Sequence, residues 1–291
     1  MRLPVIWAGC ALLFSAIALA APNGLVVCHT DYGSDSIYAG MLKGAIYSAF
    51  AAARVDSLTH SVPPFDILGG AFLLAEGCAA FPKGTTFCCI VDPGVGTQRK
   101  CLVLETESEQ YFVGPDNGLL SFVAEKYGVR ALHVCTNQKL WRPQEVSSTF
   151  QGRDILGPVA AAIASGTPVS EAGPAYDPQK MVRVELPESK VENGAAQGVV
   201  IRTDWYGNLV TNITAEQMRL LEIKEGDGVD VTVGKAHYAA DFVATYGSVP
   251  PGDRLVLVQS SGYVELAQNM VNLAQSLGEG TRVPVTLRKM K

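Results

Sequence analysis

Three short segments of this chain place an acid among glycines directly after an apolar run: Thr30-Asp31-Tyr32-Gly33, Val91-Asp92-Pro93-Gly94-Val95-Gly96-Thr97 and Gly114-Pro115-Asp116-Asn117-Gly118. Each run reads as a β-strand, and the one ahead of Asp92 is continuously apolar, as in strands covered on both faces. In open α/β sheets the loops beyond the strand ends build the ligand site, and glycine lets a ligand come close to the backbone. Three such loops in one region predict one composite small-molecule pocket.

The surrounding pattern agrees with that class. Leu25 to His29 reads as a strand, Tyr38 to Ala53 as a helix, Arg54 to Leu58 as a strand, Asp66 to Phe81 as a helix and Thr85 to Val91 as a strand. This alternation implies a parallel or mixed sheet covered by helices. Cys101 to Glu105 and Tyr111 to Val113 flank the polar turn Thr106 to Gln110 and read as a hairpin, so the sheet is expected to be mixed. Helices are expected at Leu119 to Tyr127 and Arg153 to Ser165. From Gly166 onward Pro168, Gly173, Pro174, Pro178 and Pro187 punctuate a polar connector. Short strands follow at Gly198 to Arg202, Leu209 to Ile213, Val229 to Val233, His237 to Ala240, Leu255 to Gln259 and Val283 to Leu287. Strands of this length between turns imply a small barrel or sandwich.

The N-terminus carries an address. Arg2 precedes an apolar run from Val5 to Leu19, and small residues Ala18, Ala20 and Ala21 stand before Pro22, the layout of a cleavable signal over residues 1–20. The run is short for a membrane span, and Trp7 occupies a site where a lipoprotein signal at Cys10 would need an aliphatic residue. An exported protein, periplasmic or secreted, without a stable membrane anchor is the expectation. A net charge of −5 with no run of Lys or Arg argues against nucleic acid as partner.

Beyond the signal stand Cys28, Cys78, Cys88, Cys89, Cys101 and Cys135. Most fall in strand-like apolar runs, where a free thiol packs as a small hydrophobe. Adjacent Cys88 and Cys89 point to opposite faces of a strand. Buried thiols with at most one disulfide are expected, and no paired Cys spacing suits a structural metal.

Asp31 and Asp35 can accept hydrogen bonds from two adjacent hydroxyls, as acids do with ribose diols; either could instead cap the helix near Ile37. No GxGxxG follows the first strand and no GxxxxGK[ST] occurs, so a dinucleotide or triphosphate has no visible seat. A nucleoside-like ligand without phosphates fits better. Asp92 and Arg99 flank the Gly94-Val95-Gly96 turn, which can fold back so that the charges meet, as a site ion pair or as a structural salt bridge. His29 and His60 are isolated and His133 and His237 fall in strand-like runs; with no second imidazole or acid at catalytic spacing, each reads as a packed or surface residue. Ser260-Ser261-Gly262-Tyr263 lacks the context of a serine nucleophile. Asp204-Trp205-Tyr206-Gly207-Asn208 is a tight turn that is either a plain hairpin corner or a place to stack and hydrogen-bond a purine.

These segments, with Thr149-Phe150-Gln151-Gly152-Arg153-Asp154 and the continuation of the Asp204 turn through Leu209-Val210-Thr211-Asn212-Ile213, occur in one order along nearly the whole mature chain. The series resembles the S-adenosyl-L-methionine (SAM) hydroxide adenosyltransferases, or SAM hydrolases, relatives of the SAM-dependent fluorinase and chlorinase. The resemblance implies an α/β fold with an N-terminal mixed-sheet α/β sandwich domain, residues 21–185, and a small C-terminal β-barrel domain, residues 186–291. It implies a homotrimer whose pockets lie between the N-terminal domain of one subunit and the barrel of the next. It also implies attack of water or hydroxide on C5′ of SAM, giving adenosine and L-methionine; SAM is then the substrate, and no cofactor or metal is expected. By position, Asp31 would hold the ribose diol and Asp204 the methionine end, Tyr206 and Asn208 would contact the adenine side, and Ser261 with the loop around Asn269 would complete the pocket.

Asp92 and Arg99 match two members of an Asp-Arg-His set that the family associates with water activation. Gln151 stands where the family usually has His; an amide orients water but is no base near neutral pH. The departure implies reduced or lost activity, or sufficiency of Asp92 and Arg99, and leaves a SAM or nucleoside binder as the alternative. A halide-using transferase is disfavoured because Gly152 stands where a halide-binding Ser would help.

Overall fold

The computed structural model describes residues 20–291, so the expected signal lies outside the described residues except for Ala20. Strands β1 (Leu25–Thr30), β2 (Arg54–Thr59), β3 (Thr86–Ile90), β4 (Cys101–Glu105), β5 (Tyr111–Pro115) and β6 (Ala131–Val134) form one sheet in the order β2-β1-β3-β5-β4-β6. β2, β1, β3 and β5 are parallel, and β4 runs antiparallel to β5 and β6. The mixed character follows from the short turn after β4, closed by Thr106 N–H donating to Gln110 O at 3.0 Å, because so short a connection joins only antiparallel strands.

Successive residues of a strand face opposite sides, and both sides of this sheet are covered. Val26, Cys28, Cys88, Ile90, Val103 and Val113 pack under α1 (Ile37–Ala49) and α4 (Gly157–Ala164). Val27, Phe87, Cys89, Val91, Leu102, Leu104 and Phe112 pack under α2 (Ile67–Gly77) and α3 (Ser121–Tyr127). This double coverage is the reason β3 reads as an unbroken apolar run. All six described cysteines are free and buried, so the allowance for one disulfide is not used. The helix expected from Arg153 begins instead as a π-helical turn, Gly152–Leu156, before α4.

The second region holds β7 (Lys190–Glu192), β8 (Ala195–Thr203), β9 (Leu209–Thr214), β10 (Gly228–Val233), β11 (Ala236–Phe242), β12 (Arg254–Val258), β13 (Tyr263–Gln268) and β14 (Pro284–Lys289). The order β14-β10-β11-β12-β13-β9-β8 closes through pairing of β8 with β14, with β7 added beside β8. Closure removes the free edges that such short strands would otherwise expose. Its interior is filled by Leu209, Val229, Val231, Val256, Leu266 and Leu287. Two short helices, α5 (Ala215–Leu220) and α6 (Leu273–Leu277), lie between strands. Phe72 of α2 packs on Ile201 and Val210 of the barrel, and Glu76 of α2 pairs with Arg202 of β8 at 3.2 Å. No described helix is long and apolar enough to cross a membrane.

Candidate active site

Because β1 and β3 are parallel neighbours, their C-terminal ends open on the same edge of the sheet, and the loops that follow bring Asp31 and Asp92 together. Both line a cavity of about 680 Å³ with Tyr32, Tyr38, Phe65, Phe150 and Gln151. Arg99 Nε donates to Asp92 Oδ1 and Oδ2 at 3.1 and 2.9 Å, and Nη2 donates to Oδ2 at 2.6 Å. The two side chains are 10 % and 5 % exposed, which places the pair where charge–charge interaction is strong. Burial opposes the Arg99 charge, but hydrogen bonds to and charge interaction with Asp92 and Cys101 together outweigh it and the guanidinium pKa rises. The turn between them needs its glycine: Gly96 has φ +81°, and a Cβ there would stand 2.5 Å from Ser148 O.

Gln151 joins this pair. Its Oε1 accepts from Arg99 Nη2 at 2.6 Å, while Arg99 Nη1 donates to Cys101 Sγ at 3.2 Å. Arg has only donors, so the amide oxygen must face it and the amide N–H groups are left to face a ligand. Asp92 Oδ2 takes the two shorter Arg99 bonds, leaving Oδ1 the less engaged acceptor in the cavity.

Asp31 does not cap α1; Ser36 does, its Oγ accepting from Tyr38 N at 3.2 Å. Asp31 Oδ2 instead accepts from Phe65 N at 3.0 Å. Phe65 is held at φ 68°, a region non-glycine residues rarely occupy, and sits with its ring exposed on the cavity rim. Asp35 is exposed, lies outside the cavity lining and is not a cap either.

The third Asp/Gly loop does not line this cavity, which corrects the expectation of three walls. Asp116 is buried and accepts from Val182 N at 2.8 Å, and Asn117 Nδ2 donates to Val91 O at 2.8 Å. The loop therefore anchors the chain end that carries Asp92. A comparable anchor holds Gln151. Fully buried Asp154 accepts from Arg153 Nε at 2.6 Å, Arg142 Nη1 at 3.3 Å and Ser147 N at 2.9 Å. Burial would raise its pKa, but these donors outweigh it and hold the carboxyl below the usual range.

The barrel presents a second cavity of about 610 Å³, lined by Asp204, Tyr206, Asn208, Tyr246, Gln268 and Met270 among others. Asp204 closes its own turn: Oδ1 accepts from Tyr206 N at 2.9 Å and Asn208 N at 2.8 Å, and Oδ2 accepts from Asn208 Nδ2 at 3.0 Å. Gly207 has φ +87°, and a Cβ there would run into Asn272. Ser261 lines neither of these cavities; it borders a cleft with Leu58, Glu76, Lys126 and Arg202. Asn269 adjoins the second cavity, but its Nδ2 is used on Val249 O at 2.7 Å, so its side chain supports the loop.

Reasoning on single residues missed the aromatic lining. Tyr32, Tyr38 and Phe150 form a cluster with ring centroids 5.4 to 6.1 Å apart, and two of the three lie within the quoted motifs. Their adjacency to acids at strand and helix ends was the available signal. Among the described residues no group of three or more His, Cys, Asp or Glu is arranged to hold a metal ion.

Comparison with known proteins agrees with this architecture. The family models for the SAM hydroxide adenosyltransferase N-terminal and C-terminal domains match residues 26–173 and 198–286. A protein of Salinispora tropica named (R)-S-adenosyl-L-methionine hydrolase is 36 % identical over 91 % of this chain and 99 % of its own length. One of the same name from Methanocaldococcus jannaschii is 29 % identical over 87 % of this chain and 91 % of its own, and a fluorinase of an Actinoplanes species is 27 % identical over 91 % and 98 %. The crystal structure of an uncharacterized conserved protein from Thermotoga maritima superposes with a TM-score of 0.85 at 34 % identity, covering 91 % of this chain and 99 % of that one. With both halves of the chain matched in order and the sandwich-plus-barrel fold shared, the protein belongs to the SAM hydroxide adenosyltransferase family.

Proposed function

We propose that this protein hydrolyses SAM at ribose C5′, giving adenosine and L-methionine. The observation that carries the reading is the fixed Asp92–Arg99–Gln151 network opening on the cavity that also holds Asp31, in a chain similar to proteins named SAM hydrolase. Water attacks C5′ in line with the C5′–S bond, the sulfonium leaves as the neutral thioether of methionine, and one proton is released. A sulfonium needs no acid to leave, so the protein's task is alignment of water and exclusion of competing solvent, which lowers a barrier by several kcal/mol. Asp92 Oδ1 accepts a hydrogen bond from the water, Arg99 fixes that carboxylate, and the Gln151 amide N–H steadies the ligand from the other side.

Asp31 takes the ribose diol with the oxygen not committed to Phe65. Asp204 serves the methionine end through the turn it closes, and Tyr206 and Asn208 meet the adenine side. Neither cavity is complete alone. The first is rimmed by exposed Ile37, Tyr38 and Phe65, and the second by exposed Tyr206, Met270 and Val271. Two open apolar rims on one chain support a homotrimer in which one subunit's sandwich meets the next subunit's barrel. Ser261 and Asn269 would border that junction. The apolar N-terminal segment supports export by a cleavable signal, so the SAM consumed would be that found outside the cytoplasm.

Gln151 cannot take the proton, so turnover slower than in a His-bearing enzyme is expected. A halide seat at position 152 is disfavoured on geometry: any side chain added at Gly152 would collide with the Tyr32 hydroxyl. Incubation of the purified protein with SAM, followed by chromatography of adenosine and methionine, tests the reading. SAM binding without product makes the protein a binder, and chloride-dependent 5′-chloro-5′-deoxyadenosine makes it a halide transferase.

A further inference from the structure

Glu265 lies in the middle of β13, opposite Leu257 of β12 and Val210 of β9, and is 2 % exposed. A carboxylate in such a place is costly unless something binds it. Its partner is Tyr246, whose hydroxyl donates to Glu265 Oε1 at 2.7 Å. Tyr246 is unlike a core tyrosine: its ring stands partly exposed and forms a wall of the barrel cavity beside Asp204 and Asn208, while only its hydroxyl reaches inward. Nearby, Arg202 of β8 is paired with Glu76 of α2 at 3.2 Å, so the charged neighbourhood of Glu265 extends to the contact between sandwich and barrel.

We infer that Glu265 is a positioning residue of the SAM site, fixing the Tyr246 ring as a rigid wall of the Asp204 cavity. This rests on the reading of the barrel cavity as part of that site. A ring tethered at its far end loses two side-chain torsions before the ligand arrives, so ligand binding no longer bears that ordering cost. Loss of the tether should therefore weaken binding while the water-aligning groups, which lie in the other cavity, keep their geometry.

The test is a double-mutant cycle on the full-length mature protein, with SAM and adenosine as probes in calorimetry and turnover. Y246F and E265L should each weaken both ligands by about three- to ten-fold, the range expected for one hydrogen bond, with kcat little changed. The double variant Y246F/E265L should be no weaker than either single one, because both break the same tether. E265Q keeps an acceptor and should bind within about two-fold of wild type. Thermal melting separates positioning from mere stability: Y246F strands a buried acid and lowers Tm, whereas Y246F/E265L removes the stranded acid and recovers Tm without recovering affinity. Wild-type affinity in Y246F and E265L, or additive losses in the double variant, overturns the inference and leaves the functional reading intact. Failure of the wild type to bind either probe overturns both.

Discussion

The two cavities are built on opposite plans. In the sandwich, Asp92, Arg99 and Gln151 come from two loops and are locked to one another, so charged and polar groups stand in fixed positions out of solvent. In the barrel, Asp204 spends its hydrogen bonds closing its own turn, which pushes Trp205, at 89 % exposure, and Tyr206 outward. Preorganised polar groups in a low-dielectric setting suit a reaction, because nothing has to reorganise as charge moves. Outward aromatics on a stiff turn suit recognition, because they gain most when another surface covers them. Under the proposed function, chemistry would fall to the sandwich and ligand capture with assembly to the barrel.

The largest break in that comparison is made at Asp92. Removing one member of a buried ion pair costs about 3–5 kcal/mol, a sizeable part of a typical domain's stability, so Asp92→Ala confounds folding with catalysis. Asp92→Asn keeps a polar partner for Arg99 and should lower kcat by about 10²- to 10⁴-fold with KM for SAM changed only a few-fold. Turnover by D92N at the wild-type rate would reject the water-aligning role. Next in size is Trp205→Glu, which puts a charge on the barrel's exposed rim. Analytical ultracentrifugation should show smaller assemblies and kcat/KM should fall more than about ten-fold, because each site loses its second wall. A monomeric wild type with full activity would refute the shared-site arrangement. Smaller still is Gln151→Ala, which leaves the Asp92–Arg99 bonds in place and should reduce kcat by about two- to ten-fold; a loss as deep as that of D92N would make Gln151 an equal partner.

How far the sequence revealed these two plans differs by region. The strands β1, β3, β4 and β5 were legible because double burial writes itself as continuous apolar residues, and Asp31 with Asp92 followed from where those strands end. The role of the Pro115 to Gly118 loop was not legible: an Asp among glycines looks the same whether it faces a ligand or, as Asp116 does, a backbone N–H from a segment 66 residues away. β13 was missed because Glu265 and Gln268 interrupt its apolar pattern, and only the distant Tyr246 explains how the acid is tolerated there. Likewise the π-helical turn at Gly152–Leu156 has no composition signal distinct from that of the helix it precedes. The placement of Ser261 away from the Asp204 cavity within one chain could not follow from its position after a strand.

The gentlest test leaves the site intact and changes only the pH. In the sandwich, His29 is wholly buried, with Nε2 bonded to Gly70 O at 2.9 Å and Nδ1 without a partner among the described residues, and burial pushes its pKa down to about 4. Between that value and an ordinary histidine's 6.5 the unfolded chain binds more protons, so this contribution to stability is complete above 6.5 and is lost as pH falls toward 4. In the barrel, burial raises the Glu265 pKa, with Asp204 and Glu76 adding to the rise and Tyr246 and Arg202 opposing it. There the sign reverses: the folded state binds the extra proton, so the contribution is present below the ordinary glutamate range and is lost as pH rises through the raised value. Hydrogen exchange read by mass spectrometry, corrected for intrinsic rates, should show protection in β1 and β3 falling from pH 7 to pH 5 relative to β12 and β13. His29→Gln should reduce the sandwich's response, with His60, whose pKa burial also lowers, supplying the remainder, and should leave turnover at neutral pH unchanged. Equal loss of protection in both regions, unaltered by His29→Gln, would mean that the two halves unfold as one unit and that their opposed titrations do not act separately.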